Sequence, residues 1–173
     1  MKLSSKVLLM VVAMLIVQES SAEMYTHVTA TQVTLKSDTG KAKPLAATVK
    51  LGYRLSEGIA LEYQYGTNGS DDSLADGKVE IDKLSAIFVK LGGQSTYNGV
   101  RMYLLLGTTK TEVKYSGVTS ALESKFEGTA WGLGLEEMSQ SVRNMSYVLE
   151  YIRYAEDKGT EVTGIGLGVR YNF

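Results

Sequence analysis

The 173-residue chain contains no cysteine. A disulfide-stapled secreted domain, a thiolate metal centre and a lipoprotein anchored through an acylated thiol are therefore excluded. There is one histidine, His27, so neither a zinc cluster nor a convincing nucleophile–histidine–acid triad can be assembled. No cofactor or metal site is indicated. The single proline, Pro44, is expected in a loop, where its missing N–H costs nothing. An excess of charge of one sign is also lacking, since the formal net charge is −1. That balance argues against nucleic acid as a partner, which needs a concentrated basic surface. Beyond the first 22 residues no segment is long and apolar enough for a transmembrane helix.

What is present begins with Lys2 and Lys6, an apolar run from Val7 to Val17, and the small residues Ser20, Ser21 and Ala22. Eleven apolar residues fall short of the roughly 17 to 25 that a spanning helix takes, so the run reads as a secretory signal peptide cleaved after Ala22. Residues 1–22 are the leader and residues 23–173 one domain. Losing Lys2, Lys6 and Glu19 leaves 16 basic and 18 acidic residues.

Helix signals are nearly absent from the rest. Glycine is abundant at 18, tyrosine reaches 11, and segments of about ten residues recur between turn residues, the length of a barrel strand. We read eight. The first, Met24 to Leu35, is Thr-rich and rests on β-propensity. Leu45 to Leu55 and Ile59 to Gly66 alternate cleanly and form a tight hairpin around Ser56-Glu57-Gly58. Thr67 to Glu80, with Asn68-Gly69, Asp71, Asp72 and Asp76-Gly77, is expected to be a loop. Its carboxylates could hold a hard cation, but the spacing fits no EF-hand and a solvated loop is the better reading. Ile81 to Gly92 is less regular, with Ile87, Val89 and Leu91 on one face and Leu84, Ala86 and Phe88 on the other, and reads as a strand with room for a bulge. Val100 to Val113 follows a turn, and a loop around Tyr115 to Ala121 leads to Ser124–Met138. Met145 to Ala155 loses phase at Ile152-Arg153, which predicts a bulge. Gly164, Gly166 and Gly168 are strand packing rather than a nucleotide fingerprint, because no helix follows.

Eight strands of this kind predict an all-β fold, a closed antiparallel eight-stranded transmembrane barrel with up-and-down topology. Only helices and closed sheets satisfy their backbone in lipid. Which face meets lipid follows from volume. An eight-stranded barrel has an interior just wide enough for its side chains. Gly52, Ala60, Gly66, Gly128, Ala130, Gly132, Gly134, Gly164, Gly166 and Gly168 share the polar faces, so those faces are expected to look inward. They bring Lys50, Arg54, Lys90, Arg101 and Arg170 inside with Glu62, Glu136 and Glu150, a mixed set whose members can neutralise one another. The outward face carries Tyr53, Tyr63, Tyr65, Trp131, Tyr147, Tyr151, Tyr171 and Phe173, suited to aromatic girdles.

The last nine residues are the most specific. Ile165, Leu167, Val169, Tyr171 and Phe173 alternate with Gly, Arg or Asn, and the strand ends on the aromatic ring. This resembles the C-terminal signal strand of bacterial outer-membrane barrels, which the barrel-assembly machinery recognises. In architecture the chain is similar to small eight-stranded outer-membrane proteins of the OmpA/OmpX type. The resemblance implies a monomer in the bacterial outer membrane, in contact with its lipid and lipopolysaccharide, with both termini periplasmic and longer loops outside. It implies a structural or surface-interaction role through those loops toward an external ligand or host surface, without enzymatic activity. A narrow channel for small polar solutes or ions is the alternative. A lipid A-modifying enzyme using His27 is the second.

Overall fold

The computed structural model describes residues 24–37, 40–74, 77–92, 99–117, 121–157 and 159–173. The expected leader lies outside them. Ten strands follow in chain order: β1 Met24–Ser37, β2 Gly40–Ala42, β3 Leu45–Ser56, β4 Ile59–Ser70, β5 Asp72–Leu74, β6 Gly77–Gly92, β7 Val100–Gly117, β8 Ala121–Met138, β9 Met145–Asp157 and β10 Thr160–Asn172. Eight of them are the barrel staves, and β2 and β5 are short strands folded back onto β1 and β6. Each stave pairs antiparallel with the next, and β10 closes on β1 from Tyr25↔Asn172 to Lys36↔Glu161. The Thr-rich first strand thus has a ladder on both sides.

Period-two alternation decides what each stave buries. On β3 Leu45, Leu51, Tyr53 and Leu55 are exposed while Ala46, Thr48, Lys50 and Gly52 are buried. The same phase runs through β4, where Glu62, Gln64 and Gly66 point in, and through β10, where Gly164, Gly166 and Arg170 do. The outer wall is a continuous apolar surface that includes Leu61, Val89, Leu133, Leu149 and Leu167, each more than 40% exposed. Soluble monomers rarely expose contiguous apolar patches beyond a few hundred Å². In lipid this surface is satisfied.

The interior divides into two halves. Toward the end that carries Met24 and Phe173, the terminal mouth, the filling is charged. Toward the opposite, far mouth it is apolar: Val33, Leu35, Ala42, Ala46, Val79, Ile81, Leu84, Val113, Phe126 and Val162 form one buried cluster with Phe88. Leu84, Ala86 and Phe88, whose face the alternation left ambiguous, therefore point inward and belong to this filling.

Two expected loops are largely strand. Between Thr67 and Glu80, β4 continues to Ser70 and β5 pairs with the start of β6, from Asp72↔Val79 to Leu74↔Gly77. Residues 75–76 of that segment lie outside the described residues. Likewise β7 runs to Gly117 and β8 starts at Ala121. A ribbon rising beyond the barrel into water has no lipid face, so its composition reads as loop even though its backbone is paired. The expected bulge on β9 lies one residue later than the phase break suggested. Ser146, Val148, Glu150, Ile152 and Tyr154 keep one phase, and the register skips Tyr154 between Val162↔Ala155 and Thr163↔Arg153.

Candidate functional site

The charged half of the interior is a connected network. Lys50 Nζ donates to both carboxylate oxygens of Glu150 at 2.7 and 2.6 Å and lies 3.6 Å from Glu62. Lys90 Nζ lies 3.6 Å from Glu62 and 3.3 Å from Glu136. Arg170 Nη1 donates to Glu136 Oε2 at 2.5 Å and its Nη2 to Asn172 Oδ1 at 2.6 Å. All six charged groups are buried. Three cations face three carboxylates, so each desolvated charge has an opposite within reach.

Sequence reasoning missed the aromatic part of this network. Tyr25 donates to Glu62 at 2.6 Å and Tyr103 to Glu150 at 2.7 Å. Arg170 stacks on the Tyr25 ring, and Lys90 Nζ sits 3.7 Å from the centroid of Tyr103. Gln64 Nε2 donates to the hydroxyl of Tyr154 at 3.0 Å. Phase could have found two of these residues, since Tyr103 shares the parity of Arg101 and Gln64 that of Glu62. His27 is fully buried, edge-on to Tyr25, with Nδ1 4.0 Å from Glu150 and neither ring nitrogen hydrogen-bonded.

Two of the eight expected interior charges stand apart. Arg54 and Arg101 are half-buried and line a cavity of about 50 Å³ at the terminal mouth, together with Tyr25, Lys90, Glu136 and Arg170. Of the five positive and three negative charges expected inside, not all take part in the pairing. The network closes on three of each, and the remaining two cations line the entrance.

At the far end a sheet of β6, β7 and β8, with the short β5 paired along the start of β6, rises beyond the other staves. Two bulges release it. The β4–β6 ladder ends at Gly66↔Leu84, just before Asp82 is inserted into β6 as an extra residue. The β8–β9 ladder ends at Trp131↔Arg153, next to the Tyr154 bulge. Bulges bend a strand and tighten its twist, which separates neighbours that would otherwise stay paired. Among the described residues β8 has no strand partner on its β9 side from Ala121 to Ala130. The outward surface of this sheet alternates in sign, with Lys110 and Glu112 at 3.0 Å, Lys114 and Asp82 at 2.6 Å, and Lys125 and Glu127 at 2.6 Å. The hydrogen bond from Lys125 holds the Glu127 carboxyl below its usual range.

The acidic segment beside it does not converge on a cation. Asp71 pairs with Lys78 at 2.8 Å, and that hydrogen bond lowers its carboxyl below the ordinary range. Asp72 accepts from the backbone N–H of Lys43 and Ser73, and Glu80 from Asn68. Asp76 lies outside the described residues.

Ile165, Leu167, Val169 and Tyr171 project outward from β10. Phe173 stacks edge-on against Tyr171 at 5.5 Å, and its N–H donates to the carbonyl of Met24 at 3.1 Å, on the seam where the barrel closes.

A closed eight-stranded barrel with an apolar exterior and a filled, ion-paired interior is a transmembrane barrel of the outer-membrane type. The family described as outer membrane protein beta-barrel domain matches residues 5–173, and the chain belongs to it. Its place is the bacterial outer membrane. Among solved structures, Neisserial surface protein A is similar at 17% identity and a TM-score of 0.66, covering 90% of this chain and 100% of its own. Ail, the attachment invasion locus protein of Yersinia pestis, matches at 17% identity and a TM-score of 0.64, covering 89% and 100%, and has also been solved with the heparin analogue sucrose octasulfate. The N-terminal barrel domain of Pseudomonas aeruginosa OprF matches at 16% identity and a TM-score of 0.61, covering 88% and 100%. At these identities the likeness is one of fold. No curated protein sequence matches the chain.

Proposed function

We propose that this is a non-enzymatic surface-interaction barrel that displays the β6–β7–β8 sheet outside the cell and engages a partner through it. The observation that carries this reading is the edge of β8 from Ala121 to Ala130, which has no strand partner on its β9 side among the described residues. A free strand edge presents a row of backbone donors and acceptors, a template for an added strand from another protein. The alternating charges beside it favour a polypeptide over a polyanion, because every lysine named on that outward surface already has an acid within 3.0 Å. A sulfated ligand like the one Ail was solved with would have to displace those acids.

We read sidedness from strand length: β6, β7 and β8 run on past the other staves at the end opposite Met24 and Phe173, and such long extensions belong outside. The cysteine-free sequence makes this directly testable. A Ser116→Cys variant should be labelled on intact cells by an impermeant maleimide, and a Ser56→Cys variant only after lysis. The binding role is tested by replacing residues 113–124 with Asn-Gly. The shortened barrel should still reach the outer membrane and keep its heat-dependent gel mobility but lose partner binding. Full binding by the shortened protein would overturn the proposal.

The charged interior motivates the channel alternative, yet the far half is packed with Leu84, Phe88, Val113 and Phe126. Planar-bilayer recordings are expected to show no conductance above background.

A further inference from the structure

We infer that the terminal mouth of the barrel binds a single oxyanion, a phosphate or carboxylate group, between Arg54 and Arg101. This goes beyond the surface-interaction reading and does not depend on which way the barrel faces.

Charge accounting leads to it. Lys50, Lys90 and Arg170 consume the three interior carboxylates, and Glu136 Oε2 already serves both Arg170 and Lys90. Arg54 on β3 and Arg101 on β7 share the inward phase and line one cavity, but among the described residues neither forms an ion pair or side-chain hydrogen bond. The Nε atoms of Arg101 and of the 4%-exposed Arg170 are buried without a hydrogen-bond partner, and both residues line the cavity. Unsatisfied guanidinium donors in a half-closed, positively charged recess are costly, and a guanidinium fork matches the geometry of an oxyanion. Beside Glu136, the only other acid on the wall among the described residues is Glu57, an exposed residue of the β3–β4 turn with no cation within 4.0 Å. The cavity of about 50 Å³ has room for one oxyanion group. Two sources can supply that group: a small soluble anion, or the headgroup phosphate of a lipid bordering the mouth.

The test follows the Nε–H resonances of Arg54 and Arg101 in the full barrel, first in neutral maltoside micelles titrated with inorganic phosphate against chloride at equal ionic strength. Saturable shifts with phosphate alone are expected. Arg54→Gln and Arg101→Gln should each weaken the apparent affinity at least tenfold, while Arg153→Gln, at the other end, should leave it unchanged. If Arg101→Gln does not fold, Arg54→Gln at the more open rim decides. The second arm places the protein in phospholipid nanodiscs without added phosphate. Shifts already present there and insensitive to phosphate assign the group to lipid, and shifts that still need phosphate assign it to a soluble anion. No saturable shift in either medium, or an equal response to chloride, would overturn the inference.

Discussion

Tyr103 on β7 and Gly134 on β8 sit directly opposite each other, and the tyrosine ring fills the volume that any side chain at Gly134 would need. Tyr25 and Gly52 repeat the arrangement between β1 and β3. In both pairs the ring covers a glycine on the neighbouring stave and delivers its hydroxyl to a buried carboxylate, Glu150 or Glu62. The interior glycines are thus the space in which two tyrosines lie to reach the ion pairs. This ties the small residues of the sequence to its charges.

Gly134→Ala is therefore expected to destabilise the barrel by about 1–3 kcal/mol, the usual cost of overpacking a filled interior. Tyr103→Phe keeps the ring but leaves Glu150 one donor short, at about 1.5–3 kcal/mol for a bond to a charged group. Urea unfolding of the refolded protein in micelles measures both. Equal stability of Gly134→Ala and the parent would mean that Tyr103 does not occupy that space.

Glu136→Gln removes the charge that Arg170 and Lys90 share. Breaking a buried pair from one side typically costs about 3–5 kcal/mol, because the partner is left buried and uncompensated. Glu127→Gln, whose carboxylate is exposed and pairs with Lys125, should leave the unfolding midpoint unchanged. A Glu136→Gln midpoint equal to the parent's would show the interior to be hydrated enough to screen Arg170.

The outward face carries its own test. Leu133 lies on β8 between Trp131 and Leu135, all three exposed on the outer wall. Leu133→Arg in phospholipid vesicles is expected to cost about 2–4 kcal/mol, the penalty of an arginine near the bilayer midplane. A surface facing water would accept the same change with little effect.

How much of this was legible in the residues depends on where lipid ends. Along β3, β4 and β10 one face meets acyl chains and the other a polar interior, so alternation gives both strand and face: Tyr53 out and Gly52 in, Tyr63 out and Glu62 in. On β6 the interior itself turns apolar, and Leu84 and Phe88 oppose Ile87 and Val89 with no contrast left to read. Above the lipid the ribbons are wet, so Thr67 to Ser70 and Lys114 to Ser116 carry turn-like composition on a paired backbone. The loss of alternation on β6 pointed to a bulge there, but its place at Asp82 was not readable because no contrast between faces remains to locate it. Of the charged site, the eight residues were readable by phase, but which three pairs close and which two arginines remain is a matter of height along the barrel, which alternation does not encode.

Phe173 offers a separation between assembly and stability. Its ring rests on Tyr171 and its N–H closes on Met24, so within the folded barrel it contributes one edge contact and one hydrogen bond at the seam. If the alternating residues Ile165, Leu167, Val169, Tyr171 and Phe173 act as an assembly signal, deleting Phe173 should lower outer-membrane insertion in cells several-fold. The same variant refolded in vesicles should lose only about 0.5–1.5 kcal/mol, the worth of one hydrogen bond. Deleting Gln140 in the β8–β9 turn is the control and should leave insertion near the parent's level. Matched losses in cells and in vesicles would reduce Phe173 to a structural contact, whereas a loss confined to cells would require a recognition step that reads the strand before the barrel closes.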